Sequence, residues 1–207
     1  MAGEKKKVLI VDHGSSYAKH LVSMYQGYPT ISYQVEVVDS EKVKGKKLEG
    51  YDIIHLSGSR VKKDLHDEAS NYVLENAGKD TYVIGTCYGA QVIAKKHDVD
   101  SQRLKDYQKG KQEIDYGGNK MPMHKAHKWG IPVEGSESKL EAIATSDQVF
   151  DDGKDGKVGK IHEVFVAKGN PRHIGIQGHA EAGLGKQVMY DILGKIHGGK
   201  GKGYKGR

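Results

Sequence analysis

Cysteine is the scarcest chemistry-bearing residue in this sequence. Cys87 stands alone among 207 residues, which excludes an intramolecular disulfide and leaves nothing to suggest an oxidising compartment. Long apolar runs are missing as well. The opening "MAGEKKKVLIVDHG" follows its lysines with only four apolar residues, 8–11, before Asp12. A secretory signal needs a longer apolar core, and no stretch approaches the length of a membrane span, so a cytoplasmic chain without membrane contact is expected. The body also lacks net charge. Of the net +6, five positives lie in the acid-free tail "KIHGGKGKGYKGR", 195–207, so the rest of the chain is nearly neutral. Such a tail could touch RNA or an acidic partner surface, but a disordered solubilising end is the preferred reading. Residues 198–207 are therefore set apart from a single domain over 1–197, within which there are no internal repeats and no linker.

Three further motifs are absent on inspection. "GKIHGGK" (194–200) has the spacing of a phosphate loop, but Gly201 follows where a Ser or Thr hydroxyl is needed, and no strand precedes it. "DDGKDG" (151–156) lacks the spaced carboxylates and closing Glu of a calcium loop and reads as a tight turn. His124 and His127 form H-x-x-H with no cysteine or third ligand nearby, so no metal site is expected. The remaining histidines are scattered and are expected mostly at the surface.

What is present is an alternation. "KVLIVDHG" (7–14), "YQVEVVD" (33–39), "YDIIHLSG" (51–58) and "TYVIGTC" (81–87) are short β-rich runs ending in turn-forming residues. Between them, "SSYAKHLVSMY" (15–25) puts Tyr17, Leu21 and Met24 on one helical stripe, and "HDEASNYVLENA" (66–77) does the same with Ala69, Tyr72 and Val73. This pattern predicts an α/β domain with a mostly parallel sheet flanked by helices, of flavodoxin-like form. The second half predicts a smaller antiparallel portion: strands at 142–150 and 160–169 joined by a hairpin turn, and a further strand at 173–181. A closing helix over 184–196 would turn Val188, Met189, Ile192 and Ile196 inward.

The cysteine sits in "YVIGTCYGAQ", a strand, then G-x-C-x-G, then a helix. This is the form of a nucleophile elbow. The turn is sharp, and the residues two before and two after the nucleophile pass close to other backbone, where Gly85 and Gly89 supply the room. At the start of a helix, free N–H groups and the helix dipole favour a thiolate, and the N–H of Tyr88 is available to an oxyanion. A buried structural cysteine is the competing reading of this motif alone. Near the other end, "IGIQGHAEAG" places His179 after a strand and Glu181 two residues on. In a doubly wound sheet that loop can reach the elbow, with His179 as base and Glu181 as its orienting acid.

"GTCYGAQ" together with "GIQGHAE" resembles the class I glutamine amidotransferases, whose motifs are typically G-x-C-x-G-x-Q and H-P-E. "VLIVDHGSSYAKHL" resembles the family's opening strand and loop, and "IIHLSGSR" stands where the family has its S-G-G-P oxyanion loop. "AIATSD", and more loosely "MHKAHKWGIPVEG", resemble the glutaminase portion of GMP synthase in its free-standing form. The resemblance implies a Cys87–His179–Glu181 triad that hydrolyses glutamine to glutamate and ammonia through a γ-glutamyl thioester. It implies oxyanion donors at Gly58, Ser59 and Tyr88, and glutamine contacts from Gln91 and Gln177. It also implies no cofactor in this chain, and an ATP-pyrophosphatase synthetase partner of the GMP synthase type that carries ATP and magnesium and receives the ammonia for GMP synthesis from XMP.

Three departures stand out. Ala180 replaces the proline of H-P-E, which should loosen the loop. Gly178 replaces an aromatic. S-G-S-R replaces S-G-G-P, and a positive φ at Ser59 would be strained for serine. Two alternatives follow: an amidotransferase-like scaffold without catalysis, and a γ-glutamyl hydrolase or peptidase-like enzyme. A DJ-1-type protein would put His directly after the cysteine, where Tyr88 stands here.

Overall fold

The computed structural model describes residues 5–61 and 63–198. Strands β1 (Lys6–Asp12), β2 (Tyr33–Asp39), β3 (Ile53–Leu56) and β4 (Tyr82–Thr86) alternate with helices α1 (Ala18–Gln26), α2 (Asp64–Asn76) and α3 (Tyr88–Lys96), with a 3₁₀ turn over Ser40–Gly45. Then come β5 (Gln102–Tyr116), β6 (Asn119–Gly130), β7 (Leu140–Phe150), β8 (Lys157–Ala167), β9 (Asn170–Ile176), a 3₁₀ turn over Ala180–Ala182 and α4 (Lys186–Gly198). The described residues form one nine-stranded sheet in the order β2-β1-β3-β4-β9-β8-β7-β5-β6.

The first five strands in that order run parallel, in register from Val8 opposite Val35 and Ile53 through Ile84 opposite Ile174. From β9 onward every pairing is antiparallel. The sheet is thus mixed, and its antiparallel half is as extensive as the parallel one, larger than the pattern predicts. The difference lies in the β5–β6 hairpin, which turns at Gly117 and Gly118 with both at positive φ. Its lysine- and glutamine-rich strands bury little: in β5 only Leu104 and Ile114 are fully covered. A hairpin so polar carries a weak hydrophobic pattern, and the Gly-Gly turn was the one local signal for it.

The parallel strands are apolar throughout because both faces are covered. Val8 and Ile10 point to the side of α1 and α4, where Leu21, Met24, Val188, Met189 and Ile192 meet them. Leu9 and Val11 point to the side of α2 and α3, with Val73, Ile93 and Phe165. Each such fully buried aliphatic side chain contributes about 1.5–3 kcal/mol. The inward residues expected of α4 are all buried. In α1, Leu21 and Met24 are buried as expected, while Tyr17 precedes the helix and faces elsewhere. No helix among the described residues is long and apolar enough to cross a membrane. The tail expectation lies almost wholly outside the described residues, and α4 itself runs to Gly198.

The histidines differ from expectation. His13, His55, His66, His127, His162 and His173 are buried beside His179. Burial lowers the pKa of each, and each makes at least one hydrogen bond. His55, for example, bridges the Tyr25 hydroxyl and the Thr86 hydroxyl at 2.8 Å each. A neutral imidazole offers one donor and one acceptor, and this site satisfies both.

Candidate active site

The carboxyl ends of β1, β3, β4 and β9 converge on one place, where open α/β sheets gather their ligands. Cys87 follows β4 and caps α3 with φ 52° and ψ −104°. It is one of only two non-glycine residues at positive φ among those described. Such strain persists only where the surroundings enforce it. Here Gly85 and Gly89 allow the turn. A Cβ on Gly85 would lie 2.4 Å from the carbonyl of Gly89, and one on Gly89 would lie 2.4 Å from the carbonyl oxygen of Leu56. The Cys87 N–H donates to Ile176 O at 2.7 Å, tying the elbow to the end of β9.

From that end the chain continues to His179. Its N–H donates to His124 O at 2.7 Å, and its Nδ1 lies 2.8 Å from Glu181 Oε1. The Cys87 thiol lines the same cavity beside the ring. The three residues proposed from sequence therefore come together, all nearly buried. Burial by itself lowers the His179 pKa. The interactions with Cys87 and Glu181, and the charges of those groups, outweigh it and hold the imidazole well above the ordinary histidine value. A protonated imidazole oriented by a carboxylate, beside the Cys87 thiol, is what this arrangement favours.

Gly58 packs into the same corner. A Cβ there would sit 3.2 Å from His179 Cε1 and 3.5 Å from Cys87 Cβ. No acceptor among the described residues takes the backbone N–H of Gly58, Ser59 or Tyr88. For Tyr88 the reason is its place as first residue of α3. Ser59 is not at positive φ, so serine stands in the second glycine's place without left-handed strain. Its hydroxyl lies 2.9 Å from His13 O and 2.6 Å from Val61 O, bracing the loop against the one after β1.

A cavity of about 500 Å³ opens over Cys87 and His179. Gln91 and Ser59 line it, with Tyr17, Arg60, Tyr107 and the segment from Ala126 to Trp129. Gln177 does not. It is fully buried, its side chain reaching Gln91 at 3.5 Å from below, so direct substrate contact is not what its placement supports. Among the described residues, two cations line the cavity, Arg60 and Lys128, and no carboxylate does. Lys128 turns its ammonium onto Lys105 O at 2.7 Å, whereas Arg60 uses only its Nε, on Ser16.

The wall formed by β6 was not found from sequence, nor were Arg60, Tyr17 and Tyr107. The same wall explains a departure. A Cβ at Gly178 would lie 2.3 Å from Met123 Cγ, so Met123 fills the space a larger residue at 178 would take. The histidines of H-x-x-H diverge. His124 bonds the Tyr17 hydroxyl, and His127 bonds Trp129 O.

No family profile and no curated protein matches the sequence. Solved structures do resemble the fold. A protein from Thermoplasma acidophilum, provisionally assigned as one of the subunits of GMP synthase, superimposes with a TM-score of 0.74 at 17% identity, covering 95% of this chain and 96% of that one. The fold is that of the class I glutamine amidotransferases. A glutamine amidotransferase from Thermotoga maritima matches at 0.58 and 16% identity, over 94% of this chain and 84% of its own. A provisionally assigned ThuA-like protein from Bacteroides uniformis gives 0.58 at 12%, over 93% and 90%. The amidotransferase fold is thus shared with proteins named for other things, and the chemistry has to be read from the site.

Proposed function

We propose that this chain is a glutaminase subunit that hydrolyses glutamine and passes ammonia to a separate synthetase, of the GMP synthase type. The observation that carries the reading is the His179 imidazole, bonded to Glu181 at 2.8 Å and sharing one cavity with the Cys87 thiol, which stands at an elbow with enforced positive φ.

In this reading the thiolate attacks the γ-carboxamide carbon. The negative charge moves to the carbonyl oxygen, where the N–H groups of Gly58, Ser59 and Tyr88 receive it. The His179 imidazolium protonates the leaving nitrogen, and ammonia departs from the γ-glutamyl thioester. Water then attacks with His179, now neutral, as base; the C–S bond breaks, glutamate leaves, and the Cys87 thiolate and His179 imidazolium are restored. Glu181 keeps the proton-bearing Nδ1 in place throughout. Gln91 faces the bound side chain, and Arg60 supplies a cation for the α-carboxylate.

The test is intact mass after incubation with a diazo-ketone analogue of glutamine, with Cys87→Ala as control. An adduct on the parent only is expected. Should none form, the incubation is repeated with an ATP-pyrophosphatase partner, ATP and XMP. Labelling that emerges only then indicates catalysis gated by that partner. Silence in both would refute this function for the pairing and favour a scaffold.

A further inference from the structure

We propose that Tyr17 and His124 form a clamp that positions the His179 imidazole and favours its protonated form. The Tyr17 ring lies over that of His179, with centroids 4.5 Å apart and planes inclined by 37°. Its hydroxyl meets His124 Nε2 at 3.1 Å, and the backbone carbonyl of His124 accepts the His179 N–H at 2.7 Å. Two elements distant in sequence, the loop after β1 and strand β6, therefore meet across one imidazole.

The loop is built to aim Tyr17. Asp12 Oδ1 accepts the N–H groups of Gly14 at 3.0 Å and Ser15 at 2.9 Å, and Ser15 Oγ accepts that of Tyr17 at 3.1 Å. Gly14 takes φ +78°, which the turn requires. Burial, and then Glu181, raise the Tyr17 pKa, so the hydroxyl that meets His124 Nε2 keeps its proton. The residue after His179 is Ala180, which leaves the backbone there freer than a proline would. Glu181 fixes only one edge of the ring. The clamp holds the face and the backbone from outside the loop. An aromatic face also attracts an imidazolium more than a neutral imidazole, so the stack acts on the charge state as well as on position.

The clamp rests on Cys87 and His179 being a reacting pair, and is tested without glutamine by the rate of Cys87 alkylation with iodoacetamide from pH 5 to 9. Tyr17→Leu should slow alkylation at pH 6.5 about five-fold and move the low-pH limb upward. Tyr17→Phe, which keeps the ring and loses only the bond to His124, should be slowed about two-fold. His124→Ala should act in the same direction, about two-fold, and carries the test if Tyr17→Leu does not fold. A profile unchanged in folded Tyr17→Leu or His124→Ala, or a Tyr17→Phe as impaired as Tyr17→Leu, overturns the clamp. Glutamine hydrolysis measured in parallel separates the two ideas. Alkylation that depends on Tyr17 without any hydrolysis, whether or not the ATP-pyrophosphatase partner, ATP and XMP are added, leaves the clamp standing and removes the glutaminase. Hydrolysis with alkylation indifferent to Tyr17 does the reverse.

Discussion

Gly89 and the carbonyl oxygen of Leu56 are so close that a methyl group on Gly89 would lie 2.4 Å from that oxygen. Leu56 ends β3, the strand that leads into Gly58 and Ser59. The contact therefore sets the spacing between the start of α3 and the loop holding the unpartnered N–H groups. Backbone cannot yield as a side-chain tip can. Gly89→Ala should cost about 1–3 kcal/mol, read from the urea midpoint, and should slow Cys87 alkylation even where the protein remains folded. A variant equal to the parent in both would mean that the elbow tolerates a shift of α3.

Glu181→Gln keeps the shape of the side chain and removes its charge. Its Oε1 meets His179 Nδ1 at 2.8 Å, so the amide can present the wrong dipole to that nitrogen and no longer balances an imidazolium. If the proposed reaction is right, kcat/KM for glutamine should fall about 10²–10⁴-fold, with KM little changed. Stopped-flow detection of ammonia release would measure it. A loss confined to KM would place Glu181 in substrate binding instead.

The sequence disclosed the elbow more fully than the wall around it. Gly85, Cys87 and Gly89 announce a local backbone event, and the contacts at Gly85 and Gly89 are those the motif demands. His179 and Glu181 were legible because two residues' spacing after a strand already puts both side chains in one loop. Gln177 was placed on the cavity by resemblance, yet it is buried beneath Gln91. The β6 wall was illegible for a physical reason: Lys125, His127 and Lys128 look like a solvated run. Lys125 is in fact fully buried, bonded to Glu163 at 2.5 Å and Ser146 at 3.0 Å. A buried ion pair across 38 residues leaves no periodic trace. The scaffold alternative drew support from serine at position 59, and the ordinary φ there removes that support.

Arg60 should govern affinity rather than turnover. It lines the cavity with its Nε on Ser16 Oγ at 3.1 Å, and among the described residues no carboxylate shares the wall. A charge-assisted bond to the α-carboxylate would form in ground state and transition state alike. Arg60→Ala is expected to raise the KM for glutamine about ten-fold and leave kcat within about three-fold, with Arg60→Lys between. An unchanged KM would assign the carboxylate to another donor.

Acid should destabilise this protein earlier than its carboxylates alone would. Burial is the largest cause in each case of depressed pKa values of about 4 at His13, His127, His162 and His173 and about 3 at His55, against an ordinary 6.5. The folded form resists protons that the unfolded chain takes up below 6.5. The stability contributed by these groups is therefore complete above pH 6.5 and lost as pH falls toward 4. His179, whose folded pKa is raised, works in the opposite sense, its contribution present below 6.5 and declining as pH rises through the folded value. Between pH 6.5 and 5 the carboxylates remain ionised, so the histidines dominate, each with a slope approaching about 1.4 kcal/mol per pH unit. Urea unfolding across that window should show a slope of several protons, and His55→Gln should reduce it by about one, whatever its effect on stability at pH 8. A flat profile from pH 6.5 to 5 would mean that these histidines are already protonated in the fold, and that the neutral bonds drawn from His55 to Tyr25 and Thr86 are not the ones it makes.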